Sequence, residues 1–484
     1  MQPSRFFRSL FILLLLNGLI KPFWIFFIDR KVQLLTGAAY GDYFSLLHLT
    51  LIPAVIADAG ILVFYTKTTA AEPLLAPFRF RYFFRIKIVL SLLYIGVAIS
   101  IALLFKTGYL RMIIMLALLQ VAGSFYLFFR SHIAALQLFT ADAVFSIADK
   151  FLVILMAGSF IYIPALSLRM NTELFIEIQF VAFLLASIAA FSFLGPRLRF
   201  SHQRPQGSVQ VSKEWRAAIP YAFVILLMTL MYRFDAFLLY HLHPDGQQQS
   251  AEYATGFRLL DALNMTGFLM ASFLLPLLSR GGDRRKLTDI IKHCTGILLF
   301  YSSLTAGFCW FNREMISKAL YGKFYIDGPE VVATSVLGIL GCSLVHIYST
   351  ILTAAGKVRT LQIVAGVFCT LSILVNLIVI PRYGAWGVAV VATALQFVFA
   401  LTLIACCYLE KLVAPEPRYW LRTLLVPLTV FTIFMLASPL PLLVQLAIAA
   451  VSGIGMSLAL GTISLKIVRS AFARPAVTSV KPVQ

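Results

Sequence analysis

The chain has 484 residues, of which 60% are apolar and 12% are charged, with a net charge of +20. Soluble domains carry about 25% charged residues, and a single soluble core could not bury this much apolar surface. The composition therefore excludes a soluble protein and predicts an all-α polytopic membrane protein. The basic residues lie mainly in short loops between apolar runs, where they attract lipid headgroups, so membrane lipids rather than nucleic acid are the expected partners.

Apolar runs long enough to cross about 30 Å of hydrocarbon predict about fourteen transmembrane helices. Lys and Arg are roughly three times as frequent in the loops on the side of the termini as in the opposite loops, which predicts cytoplasmic termini. The predicted spans are 6–28, 41–65, 83–105, 109–130, 142–164, 173–195, 216–240, 251–279, 288–310, 330–354, 360–380, 384–410, 420–438 and 440–465.

Weak internal similarity divides the predicted spans into two repeats of the same orientation. The segment 41–45 opens the second span and a similar segment, 251–255, opens the eighth. Parallel repeats usually place a substrate site near the membrane midplane between them. The predicted units are an N-terminal six-helix bundle (1–195), a cytoplasmic linker (196–215), a C-terminal six-helix bundle (216–411), and two additional helices with a basic cytoplasmic tail (412–484).

The hairpin 231–264 carries most of the charges that interrupt the apolar runs. A charge near the centre of a membrane helix costs about 2.5–3.5 kcal/mol, so four of them in one hairpin predict a polar pocket. Arg233 and Arg258 are the candidate anion-binding groups, because guanidinium suits phosphate oxygens. A salt-bridge lock between helices is the alternative. The candidate residues of this hairpin are Arg233, Asp235, Arg258, Asp261 and Asn264.

The first two spans add four candidate residues. Asn17, Lys21 and Trp24 follow the i, i+4, i+7 spacing that places them on one helix face, beside Pro22, which is expected to bend the helix. Asp58 lies in the second span, and Lys21 is its predicted ion-pair partner. Alternatively, Lys21 reaches the membrane interface and Asp58 belongs to a structural ion pair.

The sequence carries no motif that predicts catalysis or a cofactor. It contains no phosphate-binding loop, no zinc-protease HExxH, no GxSxG and no paired-cysteine metal motif. The six cysteines lie in apolar runs and are interpreted as small core residues. We therefore predict a protein that is not an enzyme.

Three stretches carry recognisable motifs: Tyr40-Gly41-Asp42-Tyr43 followed by Ala57-Asp58-Ala59-Gly60, then 354–359, and the most specific, Ile380-Pro381-Arg382-Tyr383-Gly384-Ala385-Trp386-Gly387-Val388-Ala389. They resemble polysaccharide flippases of the multidrug/oligosaccharidyl-lipid/polysaccharide exporter superfamily. The resemblance covers about residues 1–410.

This resemblance implies two six-helix bundles around a central cavity lined by spans 1, 2, 7 and 8. The implied activity is transfer of a polyprenyl-pyrophosphate-linked oligosaccharide, such as an O-antigen unit of lipopolysaccharide, from the inner to the outer leaflet of the bacterial inner membrane. Alternating access would be driven by substrate flux or by a coupling ion, H⁺ or Na⁺, and a polysaccharide polymerase or ligase would be a partner. The alternative is an ion-coupled drug or small-cation antiporter of the same superfamily.

Overall fold

The structure is a computed structural model that describes residues 16–17, 19–62, 65–66, 69, 75–104, 109–136, 138–163, 166, 169–198, 211–279, 284–322, 328–414 and 416–462. Within these ranges every regular element is a helix. Residues 6–15 of the first predicted span, 199–210 of the predicted linker and the basic tail after residue 462 lie outside the described residues.

The first half of the chain forms a π-helical segment, Trp24–Asp29, followed by seven α-helices. These are α1 (Arg30–Thr36), α2 (Ala39–Leu51), α3 (Ala54–Asp58), α4 (Ala76–Leu104), α5 (Leu110–Ala135), α6 (Phe139–Tyr162) and α7 (Thr172–Leu198). The second half forms α8 (Val211–Leu242), α9 (Gly246–Ser279), α10 (Arg284–Phe311), α11 (Arg313–Tyr321), α12 (Gly328–Leu337), α13 (Ile339–Ala354), α14 (Val358–Leu409), α15 (Pro417–Ala437) and α16 (Leu442–Ala459).

Ten helical segments among the described residues are long and apolar enough to cross a membrane. One of them, α14, is 52 residues long and is interrupted at Gly384, where φ is 50° and ψ is −136°. Its two parts fold back on each other, as the distance of 5.1 Å between the Phe368 and Phe399 ring centres shows. The ten apolar helices confirm the predicted class, an all-helical multi-pass membrane protein. The number of fourteen spans and the domain boundaries stay predictions.

Apolar side chains are divided between packed interiors and outward helix faces, as expected of helices in lipid. One cluster of buried residues lies in the first half and a second in the second half. A third cluster joins the two halves, with Tyr43 and Phe44 of α2 packed together with Leu239 of α8 and Phe257 of α9. The halves therefore share a continuous apolar core.

The two halves also meet through polar contacts at one end of the bundle, near the turns at 37–38 and 243–245. We call this the closed end. Gln247 Nε2 donates to Asp42 Oδ2 at 2.7 Å, and Gln33 Nε2 donates to the Ala251 carbonyl at 2.7 Å. The Arg30 side chain donates to the carbonyl oxygens of the last turn of α11, including Ala319 at 2.9 Å.

Gly41 permits the close approach of α2 and α9 at the closed end. A Cβ atom at this position would lie 1.9 Å from the Gln247 carbonyl oxygen and 3.1 Å from the Ala251 nitrogen. Gly41 and Asp42 belong to the first stretch that resembles the flippases, so that stretch forms part of the contact between the halves.

The last two described helices pack against α10. Lys292 Nζ lies 2.7 Å from both Glu416 carboxylate oxygens, and Asn312 Nδ2 donates to Gln445 Oε1 at 3.0 Å. Gly307 of α10 faces the Phe434 ring of α15. These contacts attach α15 and α16 to the second half of the chain.

Candidate functional site

Arg258 connects the two halves through a buried ion pair. Its Nε lies 3.1 Å from Asp29 Oδ2 and 3.2 Å from the Tyr40 hydroxyl, which donates to the same carboxylate oxygen at 2.8 Å. Asp29 is fully buried and Arg258 nearly so. A buried pair of this kind costs about 3–5 kcal/mol when one partner is removed. In this arrangement Arg258 therefore acts as the salt-bridge lock that the sequence left as the alternative.

Arg233 forms a more open contact. Its Nη1 lies 3.0 Å from His48 Nε2 and 3.4 Å from Asp261 Oδ2, and the guanidinium stands over the Phe257 ring at 5.1 Å. The side chains of Arg233 and Asp261 remain 26% and 35% exposed. Arg233 lies about 14 Å from the end of α8, near the depth of a bilayer centre. Exposed charge at that depth faces a polar space rather than lipid.

Asp235 points away from Arg233, as its i, i+2 spacing predicts. It is buried, accepts a hydrogen bond from the Tyr253 hydroxyl at 2.8 Å, and accepts one from the Ala236 backbone N–H at 2.8 Å. Beside it is a cavity of about 40 Å³ lined by α8, α9, α12 and α14. This volume holds one or a few water molecules.

Asn17, Lys21 and Trp24 lie together against α6, which confirms that they share a helix face. Asn17 Nδ2 donates to Ser146 Oγ at 2.6 Å, and Lys150 Nζ stands over the Trp24 ring at 4.4 Å.

Lys21 is half-buried and interacts electrostatically with Asp149, Arg130 and Lys150. The residues that surround Lys21 include one more base than acid, counting Lys21, Arg130 and Lys150 against Asp142 and Asp149.

Asp58 does not pair with Lys21, so that prediction was wrong. Its partner is Lys87 of α4, whose Nζ lies 3.4 Å from Asp58 Oδ1, 3.1 Å from the Ala57 carbonyl and 2.7 Å from Ser124 Oγ. Lys87 is fully buried, whereas Asp58 is 31% exposed. Lys87 reaches Asp58 because α4 packs directly on α3, a neighbour relation that helix periodicity does not contain.

Asn264 is not in contact with the charged residues of its helix face. Its Oδ1 accepts a hydrogen bond from His346 Nε2 of α13 at 3.2 Å. Arg258, Asp261 and Asn264, which share one face by spacing, therefore contact three different partners.

The sequence reasoning missed the partners of the predicted charges. Asp29 directly follows the first predicted span and Lys87 lies near the start of the third, so neither stands out as a charge in the middle of an apolar run. His48 carries no obligatory charge and did not stand out. The sequence offers one signal: His48 lies one helix turn after Phe44, in an apolar run that polar residues interrupt. Among the described residues, no three His, Cys, Asp or Glu side chains cluster as metal ligands, and all six cysteines are free.

Comparison with known proteins gives a clear result only at the level of structure. No protein-family model matches the sequence, and no curated protein matches it. The lipid II flippase MurJ in an inward closed conformation aligns with a TM-score of 0.63 and 15% identity, over 96% of this chain and 100% of that chain.

MATE transporters align over a smaller part of the chain. An inward-facing multidrug resistance MATE transporter of the MOP superfamily gives a TM-score of 0.57 and 13% identity, over 80% of this chain and 94% of its own. A mutant of a Vibrio cholerae MATE transporter gives 0.56 and 15%, over 86% and 98%. At the level of the fold, these neighbours agree with the superfamily that the motifs resemble. The chain has the fold of MOP-superfamily transporters, shared by the MurJ flippase and the MATE transporters.

Proposed function

We propose that the protein moves a polyprenyl-pyrophosphate-linked oligosaccharide from the inner to the outer leaflet of the bacterial cytoplasmic membrane by alternating access. The observation that carries the proposal is the Arg233–Asp261 pair, which is partly exposed although it lies deep in two apolar helices at the contact between the halves. A pyrophosphate cannot cross hydrocarbon unaided, because desolvating its charge is too costly. A guanidinium open to a polar cavity supplies the missing counter-charge.

The charge balance of the described residues supports an anionic rather than a cationic cargo. Asp29, Asp58 and Asp261 each lie within 3.4 Å of a basic side chain, so these carboxylates are already neutralised. The Lys21 surroundings carry the additional base described above. Asp235 is the exception, because it accepts hydrogen bonds from Tyr253 and the Ala236 N–H and forms no ion pair among the described residues, and it is the carboxylate that a small cation would use.

The orientation follows from the distribution of basic residues. With the termini in the cytoplasm, the turns of the closed end face the outside, and the partly exposed Arg233 side chain would be reached from the cytoplasmic side. A substrate made in the cytoplasm would then bind first at Arg233. Parting of the halves at the closed end would release it outward, where a polysaccharide polymerase or ligase would use it. A coupling ion, H⁺ or Na⁺, would drive the return.

The length of the alignment also favours a lipid-linked substrate. The match to the lipid II flippase covers 96% of the chain and therefore includes helices beyond residue 409, whereas the MATE matches given above cover 80% and 86%. The pair α15 and α16 is thus part of the fold shared with a protein that carries a lipid.

The test uses a strain that lacks the protein and is complemented with variants. Polyprenyl-linked glycans are extracted, identified by mass spectrometry and assigned to a leaflet. Arg233→Gln is expected to trap a complete repeat unit in the inner leaflet. The double variant Arg233→Gln/Asp261→Asn removes the ion pair without leaving an unpaired charge, and it is also expected to fail, because the phosphate-binding cation is still absent.

Two control results decide the interpretation. Lys357→Gln removes a base from an ion pair in the loop before α14, where Lys357 Nζ lies 2.7 Å from Glu410, and it should leave transport unchanged. Normal export by the double variant would show that Arg233 serves only to neutralise Asp261, and the proposed anion role would be wrong.

An ion-coupled exporter of small cations is the second candidate, and the likeness to MATE transporters favours it. Unchanged lipid-linked glycans in the deletion strain, together with increased sensitivity to cationic drugs, would replace the first proposal by this one.

A further inference from the structure

His48 lies where the two halves of the chain meet. It belongs to α2, is fully buried, and packs between the Phe44 ring at 4.1 Å and the Phe257 ring at 4.9 Å. Its Nε2 lies 3.0 Å from Arg233 Nη1 of α8. This is therefore a polar contact between the first and second halves, and it must break when the halves separate.

The contact fixes the protonation state of the ring. A guanidinium has only donors, so the Nε2 atom that faces it must present a lone pair. The imidazole is then neutral, with its proton on Nδ1, and Nδ1 is buried without a hydrogen-bond partner. A neutral imidazole is therefore built into the closed arrangement, at the cost of one unpaired N–H group.

The surrounding charges oppose a second proton on this ring. Arg233 of α8 and Arg258 of α9 are the charged groups that act on His48. Asp261 lies beyond Arg233, 3.4 Å from its guanidinium, and Asp29 is engaged by Arg258. Asp235 is turned toward Tyr253. An Nε2–H would point at a donor 3.0 Å away, so the closed contact and the imidazolium exclude each other.

We propose that His48 is a proton-carrying group of the transport cycle, neutral while the closed end is shut and protonated when the halves part. In the parted state Nε2 is free and takes a proton from water on the outer side. When the halves return, the Arg233 N–H replaces that proton at Nε2, and the proton leaves to water in the polar space that the partly exposed Arg233 side chain faces. One proton thus moves inward in each cycle, opposite to the proposed direction of the substrate.

The identity of the substrate rests on the proposed function, whereas the proton step at His48 does not depend on which substrate is carried. An imidazole in water has a pKa of about 6.5. If only the parted state binds the proton, the ratio of parted to closed molecules rises about tenfold for each pH unit below 6.5. At pH 5.5 the ratio is expected to be about 11 times its value at high pH.

The experiment measures the closed end directly in purified full-length protein. Spin labels are placed at Leu35→Cys and Asp245→Cys, two exposed positions on opposite halves, after the six native cysteines are replaced by alanine. The distance between the two spin labels is measured by double electron–electron resonance from pH 8 to pH 5 without substrate. In the labelled protein with His48 intact, the fraction of molecules with a long label-to-label distance is expected to grow as the pH falls below 6.5.

Two variants and a control test the assignment. His48→Gln keeps an acceptor for Arg233 but does not titrate, so its distance distribution should not change with pH. His293→Gln, the same substitution in α10 away from the contact, should behave like the parent. Arg233→Gln removes the donor that excludes the second proton, so both states can bind it and the pH response should weaken, which keeps the proposal testable if His48→Gln does not fold. The same pH response in His48→Gln as in the parent would overturn the proposal while leaving the flippase proposal standing.

Discussion

Gly41→Ala is predicted to prevent full closure of the closed end. The added Cβ would lie 1.9 Å from the Gln247 carbonyl oxygen, whereas carbon and oxygen atoms normally stay about 3.3 Å apart or more. The helices α2 and α9 must therefore separate by about 1.4 Å. That displacement takes the Gln247–Asp42 and Gln33–Ala251 hydrogen bonds, each 2.7 Å long, beyond hydrogen-bond range.

The energetic effect follows from these two lost bonds. Each is worth about 0.5–1.5 kcal/mol, so together the closed arrangement loses about 1–3 kcal/mol relative to the parted one. This corresponds to a shift of about 5- to 150-fold in the ratio of the two states. In a helix, alanine itself is favoured over glycine by about 1 kcal/mol, so the variant should insert and fold.

The assay is the spin-label distance between Leu35→Cys and Asp245→Cys at pH 8, where His48 stays neutral in both states. Gly41→Ala should add a longer distance, whereas Gly96→Ala should not. Gly96 is also helical, and no atom would lie within 4 Å of its new Cβ. An unchanged distance in Gly41→Ala would refute the assignment of this glycine to the contact between the halves.

Three further predictions concern stability and the backbone. Asp58→Ala should lower the thermal unfolding midpoint more than Lys87→Met, because it leaves a fully buried ammonium without a carboxylate, at about 3–5 kcal/mol. Adding Lys87→Met to Asp58→Ala should recover part of the loss. Gly384→Ala should reduce the amount of folded protein in detergent, because φ is +50° and the Cβ would lie 2.0 Å from a side-chain oxygen of α9. The hydrogen bond from Lys357 lowers the pKa of Glu410 below its usual 4.5, so the pair stabilises the fold above that pH. This contribution is lost as the pH falls through the lowered pKa, and Glu410→Gln should remove that small part of the acid sensitivity of unfolding.

Much of the fold follows from the sequence because apolar length and turn chemistry are local properties. The apolar runs predict most helices within a few residues. The motif around Gly384 predicts the sharp turn that the structure contains, since only glycine adopts that backbone conformation without strain. Three of the four charges of the 231–264 hairpin, Arg233, Arg258 and Asp261, lie at the contact between the halves, whereas Asp235 is turned into the second half.

The charge partners could not be predicted because they depend on which helices become neighbours. Asp29 ends a π-helical segment, whose extra residue per turn rotates the following side chains relative to an α-helix. Asp29 pairs with Arg258 at the end of this segment, although the sequence places it just outside the first predicted span. His48 and Lys87 likewise acquire their partners only through the packing of α2 on α8 and of α4 on α3.

The most direct test of the central claim is transport by the purified protein in liposomes. A fluorescent polyprenyl-pyrophosphate oligosaccharide is placed in both leaflets, and its movement is followed by quenching from outside, with a fluorescent cationic drug measured in parallel. We expect the wild-type protein to move the pyrophosphate lipid and not the drug, and Arg233→Gln to move neither. Movement of the drug without movement of the lipid would contradict the account.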